Sequence, residues 1–207
     1  MGWARSSGPS GASTARASGR IRPPRARGKN RRTTAREEPA DHALGRSRGG
    51  FGTKLHLVTD GRGLPLAVEC SPGQAHESLY LEPVLNAVRI PPGGGRGGRP
   101  RQRPAALAGD RGYSFRRVRA WLRAHKIAAV IPERRDQTAW RERHGYAAPR
   151  FDRREYRRRN VIERCVGWLK EARRVATRYE KLAVQYLTVV KLAMIEKYLH
   201  VYLANTP

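Results

Sequence analysis

Two strand-patterned runs divided by a tight turn limit this chain more than any other feature. Lys54-Leu55-His56-Leu57-Val58-Thr59 is followed by Asp60-Gly61-Arg62-Gly63, a turn with two glycines, and then by a second run from Leu64 to Glu69. That arrangement specifies an antiparallel hairpin, which Ser71-Pro72-Gly73 ends. Leu79 to Val88 reads as a short helix, with Leu81, Leu85 and Val88 at helical spacing and Pro83 tolerable only in the first turn. Pro91 to Pro104 holds five glycines and four prolines and reads as a flexible loop.

Beyond that loop, the small residues Ala105 to Gly109 predict a buried strand leading into Asp110. Ser114 is a candidate N-cap for a helix carrying Phe115, Val118, Trp121 and Leu122 on one face. Ile127 to Ile131 predicts a second buried strand, stopped by Pro132, and Glu133 to Arg150 is polar and loop-like. Two helices close the chain. One runs from about Glu155 to Arg173 with Ile162, Cys165 and Leu169 inward, and the other, broadly apolar, from about Glu180 to Leu203. Hairpin, helix, strand, helix, strand, helix, helix is the order of an α/β protein with a mixed sheet and helices on its faces. A strand on the N-terminal side of that sheet is missing from the pattern.

Residues 1–44 explain the gap. The first fifty residues carry 12 Lys/Arg and 3 Asp/Glu and almost no apolar periodicity. They are expected to form a disordered basic arm over 1–44, ahead of a folded domain over 45–204. Across the 207 residues, 43 Lys/Arg against 17 Asp/Glu give a net charge of +26 and exclude an ordinary metabolic enzyme as the default. Nucleic acid is the natural partner of such a chain. Two cysteines, Cys70 and Cys165, cannot build a disulfide framework. No apolar run reaches 18 residues, so no membrane span is expected. The basic N-terminus has no apolar core of a secretory signal, and a reducing cytoplasm is the expected compartment.

On a helix, Tyr156, Arg159, Glu163 and Lys170 fall at offsets 0, 3, 7 and 14, close to one face. A carboxylate flanked by cations and a phenol suits a metal ion whose substrate is a phosphate backbone. Glu163 would ligate, and Arg159 and Lys170 would meet phosphate oxygens. An exposed helix stitched by i,i+4 pairs gives the same pattern. Asp110, at the end of a buried strand beside Arg111-Gly112-Tyr113, is a candidate ligand-binding carboxylate or a turn residue. His56 faces away from Leu55 and Leu57 as a satisfied or solvent-facing histidine. His76 lies in a loop, Asp60 is a turn former, and Cys70, Cys165, Trp121 and Trp168 fit packing roles.

Together, Gly45-Arg46-Ser47-Arg48-Gly49-Gly50-Phe51-Gly52-Thr53-Lys54-Leu55-His56-Leu57, Pro72-Gly73-Gln74-Ala75-His76, Asp110-Arg111-Gly112-Tyr113 and the Tyr-x2-Arg-x3-Glu-x6-Lys spacing at 156–170 resemble bacterial insertion-sequence DDE transposases of the insertion-sequence-five-like group. The resemblance runs from about Ala40 to Leu203. It implies an RNase H-like fold in which three carboxylates bind two divalent ions, Mg²⁺ or Mn²⁺. Those ions activate water and then a DNA 3′-hydroxyl for attack on phosphodiesters. It also implies a metal-dependent polynucleotidyl transferase in DNA transposition, acting in the bacterial cytoplasm at the nucleoid on terminal repeats and target DNA, with a homo-oligomer possible in synapsis. By resemblance Asp110 matches the second catalytic Asp and Glu163 the catalytic Glu, both as metal ligands. Tyr156, Arg159 and Lys170 match the DNA-facing signature residues. The first catalytic Asp belongs on the missing strand, and residues 1–40 contain no Asp. A degenerate or mis-started copy is one expectation, and a catalytically dead DNA-binding remnant is the alternative function.

Overall fold

The computed structural model describes residues 12–17 (backbone only), 42–47, 50–92 and 98–204. Six strands and seven helices follow in order: β1 (Ala12–Ala17), β2 (Gly45–Ser47), β3 (Gly50–Thr59), β4 (Pro65–Pro72), α1 (Leu81–Asn86), β5 (Ala106–Ala108), α2 (Arg116–Ala124), β6 (Ala128–Val130), α3 (Arg135–Arg143), α4 (Arg153–Arg158), α5 (Asn160–Glu171), α6 (Arg173–Ala176) and α7 (Ala183–Ala204). Two 3₁₀ turns, Glu77–Leu79 and Arg111–Tyr113, introduce α1 and α2.

Strand β3 is the spine of the sheet. Its hairpin partner β4 pairs along one edge, Leu57 opposite Val68, and β1 pairs antiparallel along the other, Ser13 opposite Thr59 and Ala17 opposite Leu55. β1 also pairs parallel with β5, and β5 parallel with β6. The order is therefore β4-β3-β1-β5-β6, with short β2 joined to the start of β3. A central strand between an antiparallel hairpin and two parallel strands is compatible with an RNase H-like arrangement.

This topology corrects one expectation. The first strand is not absent: Ala12–Ala17 supplies it, inside the stretch read as a disordered arm. The sequence of this strand, Ala-Ser-Thr-Ala-Arg-Ala, has no apolar alternation, and pairing on both edges gives it an extended backbone that propensity alone would not. The remainder of that stretch, up to residue 41, lies outside the described residues.

Both faces of β3 are buried, as expected for a strand with helices on either side. Leu55 and Leu57, with Val68 of β4, pack against Ile162, Cys165 and Leu169 of α5 and Tyr186 and Val190 of α7. Val58, Ala67 and Leu107 pack on the opposite face against α1 and α2, through Leu85, Val118 and Leu122. Each side chain so buried contributes about 1.5–3 kcal/mol, and the three layers hold the loops at the carboxyl end of β5 in place.

Smaller departures have local causes. Residues 133–150, read as loop-like, contain α3. No residue of α3 is buried, so it leaves no apolar period to read. Its anchor is polar: Gln137 accepts from the Ser114 hydroxyl at 2.7 Å. Ser114 is thereby engaged elsewhere, and α2 begins after Phe115 without a side-chain cap. The helix expected over 155–173 is divided at Arg159 into α4 and α5.

Candidate functional site

Asp110 follows β5 by two residues, just past the Ala108 that pairs with Ser13 of β1. Its Oδ1 accepts the Gly112 N–H at 2.8 Å and so starts the Arg111–Tyr113 turn. A Cβ on Gly112 would stand 2.8 Å from that oxygen and 2.7 Å from Oε2 of Glu77, so two carboxylates close on one glycine. Glu77 is buried, and Lys54 of β3 reaches it at 3.4 Å while donating to the Ala75 carbonyl at 2.8 Å. Sequence reading missed both Glu77 and Lys54. The Pro72–His76 block ends one residue short of Glu77, and Lys54 looked like any polar strand residue.

The glycines of the two blocks explain their spacing. A Cβ on Gly73 would lie 2.7 Å from the Gly45 carbonyl oxygen, and one on Gly45 would overlap the Gln74 amide. Only bare backbone lets the 45–52 and 72–74 segments touch, and that contact sets the path leading to Glu77.

On the other helix pair, Arg159 donates to Glu163 Oε1 at 2.6 Å and its guanidinium lies 5.5 Å from the Tyr156 ring centre. Tyr156, Arg159 and Glu163 thus form one stack across the α4–α5 junction. Glu163 is more than half exposed, and an exposed pair of this kind is worth about 0.2–1 kcal/mol at most. Lys170 stands further along α5, exposed, on the rim of a small apolar hollow beside Thr53 and Leu55.

The elements bearing Asp110 and Glu163 flank the same strand. α5 packs on β1 and β3, entering above the hairpin turn, where the Val161 carbonyl sits 3.1 Å from where a Gly63 Cβ would be. β5 lies along the other edge of β1. Six residues without a carboxylate occupy the place between them. Among the described residues no group of three or more His, Cys, Asp and Glu side chains is placed to hold a metal ion. Asp110 is engaged by a backbone N–H and Glu163 by Arg159. This donor set falls short of what two hard cations need, and no chemical step is assigned to them here.

The remaining residues have structural roles. His56 is buried, 2.8 Å from the Ser71 hydroxyl through Nε2 and stacked on Tyr80 at 4.5 Å. His76 Nδ1 accepts from the Ser78 N–H and caps the turn before α1. Asp60 accepts from the N–H groups of Arg62 and Leu64, the turn role expected of it. Cys165 is buried, which pushes its thiol up to about 11, and Cys70 is half-buried. Trp121 stacks on His125 at 3.9 Å and Trp168 lies under Lys197 at 4.6 Å.

Two features had no sequence signal. Arg178 is a large, fully buried side chain that donates to the carbonyls of His42, Glu180 and Lys181 and to the Thr53 hydroxyl. It ties the entry to β2 to the start of α7, beside Ala43, whose φ of 49° is left-handed. In a chain with this many arginines, nothing distinguishes it by eye. The second feature is an open groove of about 880 Å³ between α2 and α3, lined by Arg116, Arg119, Arg123, Arg141 and Arg150 with exposed Trp140 at its edge.

Comparison with known proteins agrees with this architecture. The family model of the transposase DDE domain matches residues 25–195. A Burkholderia cepacia protein described as a transposase for insertion sequence element IS402 is 36% identical over 132 residues, 64% of this chain and 56% of that relative. A Brucella ovis protein described as a transposase for insertion sequence element IS6501 is 28% identical over 142 residues, 68% of this chain and 93% of the relative. The chain spans little more than half of the first relative and nearly all of the second. It is a mixed α/β protein of the polynucleotidyl-transferase kind, and it belongs to the DDE transposase family. Among the described residues no helix is long and apolar enough to cross a membrane.

Proposed function

We propose that this chain serves DNA transposition, as a polynucleotidyl transferase domain acting at the ends of an insertion sequence. The observation carrying this reading is that Asp110 and the helix of Glu163 flank one central strand within a chain that matches the DDE domain over most of its length. Asp110 and Glu163 are the acid pair, and Mg²⁺ or Mn²⁺ is the cofactor that the family uses. Tyr156, Arg159 and Lys170 meet the DNA backbone, with the arginines of the α2–α3 groove extending the positive surface. Residues 45–204 form the catalytic domain, and the nucleoid-bearing cytoplasm is its place of action.

A second reading has its own observation. β1 contains no acid, so a chain that clamps DNA and does not cut it satisfies everything but the turnover. Nicking and strand transfer on terminal-repeat DNA in Mg²⁺ or Mn²⁺ separate the two. An active enzyme loses turnover on Asp110→Asn or Glu163→Gln and keeps its DNA affinity. A remnant shows no metal-dependent product above that of either variant. In both cases affinity falls steeply between low and physiological salt, with a slope near −0.9 per phosphate neutralised. Binding indifferent to salt would overturn both.

A further inference from the structure

Helix α7 is apolar nearly all round, although only one side of it has a partner. Tyr186, Val190, Ala193 and Met194 are buried against the sheet and α5. On the opposite face Leu192, Ile195, Leu199 and Tyr202 are 54–69% exposed. At 100° per residue the two stripes lie about 170° apart. A helix apolar on every side is normally buried on every side, and an exposed patch of this kind marks an interaction surface.

The outer stripe also has a register. Thr188, Leu192, Ile195, Leu199 and Tyr202 advance by four, three, four and three residues, the a/d spacing of a coiled-coil seam about four turns long. The seam is narrow, because Lys191 and Glu196 flank it with charge. With Leu192 and Leu199 as a positions, Lys191 falls at g and Glu196 at e of the following heptad. In a parallel pair those positions meet across the seam, Lys191 against the partner's Glu196 and the reverse. Both side chains are exposed, and no ion pair is seen for either among the described residues. We propose that the outer face of α7 is a parallel docking seam for a second copy of this chain. The charge complementarity of the seam to itself selects a copy over an unrelated partner, and a two-fold pairing satisfies both ion pairs at once.

The test needs neither DNA nor metal, so its outcome is independent of whether the chain cuts DNA. Sedimentation equilibrium of the full chain in 0.5 M salt is expected to give twice the chain mass at tens of micromolar. Leu192→Glu with Leu199→Glu should weaken the pairing at least tenfold and leave the helical circular dichroism of the monomer unchanged. Lys191→Glu should weaken it, and Lys191→Glu with Glu196→Lys should restore it. Leu199→Cys should cross-link to itself under oxidation, as only a parallel register allows. A monomer at every concentration, whether because the chain's own residues 18–41 cover the face or because nothing does, overturns the proposal. So does a four-copy assembly, or a dimer indifferent to both the leucine and the charge variants.

Discussion

Helices α5 and α7 lie side by side on one face of the sheet and bury equivalent stripes in one core, yet they meet the outside differently. Outside its Ile162–Cys165–Leu169 stripe, α5 presents Glu163, Arg164, Lys170 and Glu171 to solvent. α7, behind Tyr186, Val190, Ala193 and Met194, presents leucine, isoleucine and tyrosine. The inner stripes report what holds the domain together. The outer ones report what each helix is for: one surface suits water and phosphate, the other suits protein.

The sharpest way to break this contrast is to cut the two helices back on opposite sides. Ile162→Ala removes a side chain with no exposure and should cost about 2–4 kcal/mol in urea unfolding. Leu199→Ala should change the stability of the monomer by no more than about 0.5 kcal/mol. Equal losses would mean that α7 is covered from both sides within one chain. Next in size is Tyr186→Phe, which removes the 2.8 Å bond from its hydroxyl to the Val175 carbonyl. That change should cost about 1 kcal/mol, read from the midpoint of the same transition.

A pH titration sharpens the comparison at the entry to α7. Burial pushes the Glu180 carboxyl up, but the Arg174 hydrogen bond and charge, with nearby backbone N–H groups, outweigh it and hold the group below its ordinary value. A folded pKa below the unfolded one gives stability that is present above the unfolded value and lost as pH falls through the folded one. Glu180→Gln should therefore flatten the acid limb of stability below about pH 4.3 and leave neutral pH less affected than Ile162→Ala does. The smallest effect belongs to α5: Glu163→Gln breaks an exposed pair and should shift stability by about 0.5 kcal/mol or less. A larger loss would show that Glu163 belongs to the core architecture and is not held free for chemistry.

What could be read in advance depended on whether a segment's own residues or its neighbours determine its form. The β3–β4 hairpin and the inner stripes of α5 and α7 were legible because apolar side chains repeat there at the period of the element. β1 was not: alanine, serine and threonine extend because two strands bond to both of their edges. α3 was missed because a helix with no buried residue has no apolar phase. In the candidate site, Asp110 and the Tyr156–Arg159–Glu163 group were visible as motifs, and the contact between Arg159 and Glu163 follows from their spacing of four. Glu77 and Lys54 were invisible as partners, since their meeting depends on a turn and a strand 23 residues apart.

The position of β1 also carries a cost in time. Its parallel neighbour, Leu107 to Ala108 of β5, comes off the ribosome about ninety-five residues after it. At roughly 5–20 residues per second the middle of the sheet stands without one wall for about 5–20 s. For that interval the hairpin's inner edge is an open template, and a weak strand with little of its own to hold it must outcompete every other extended segment for the seat.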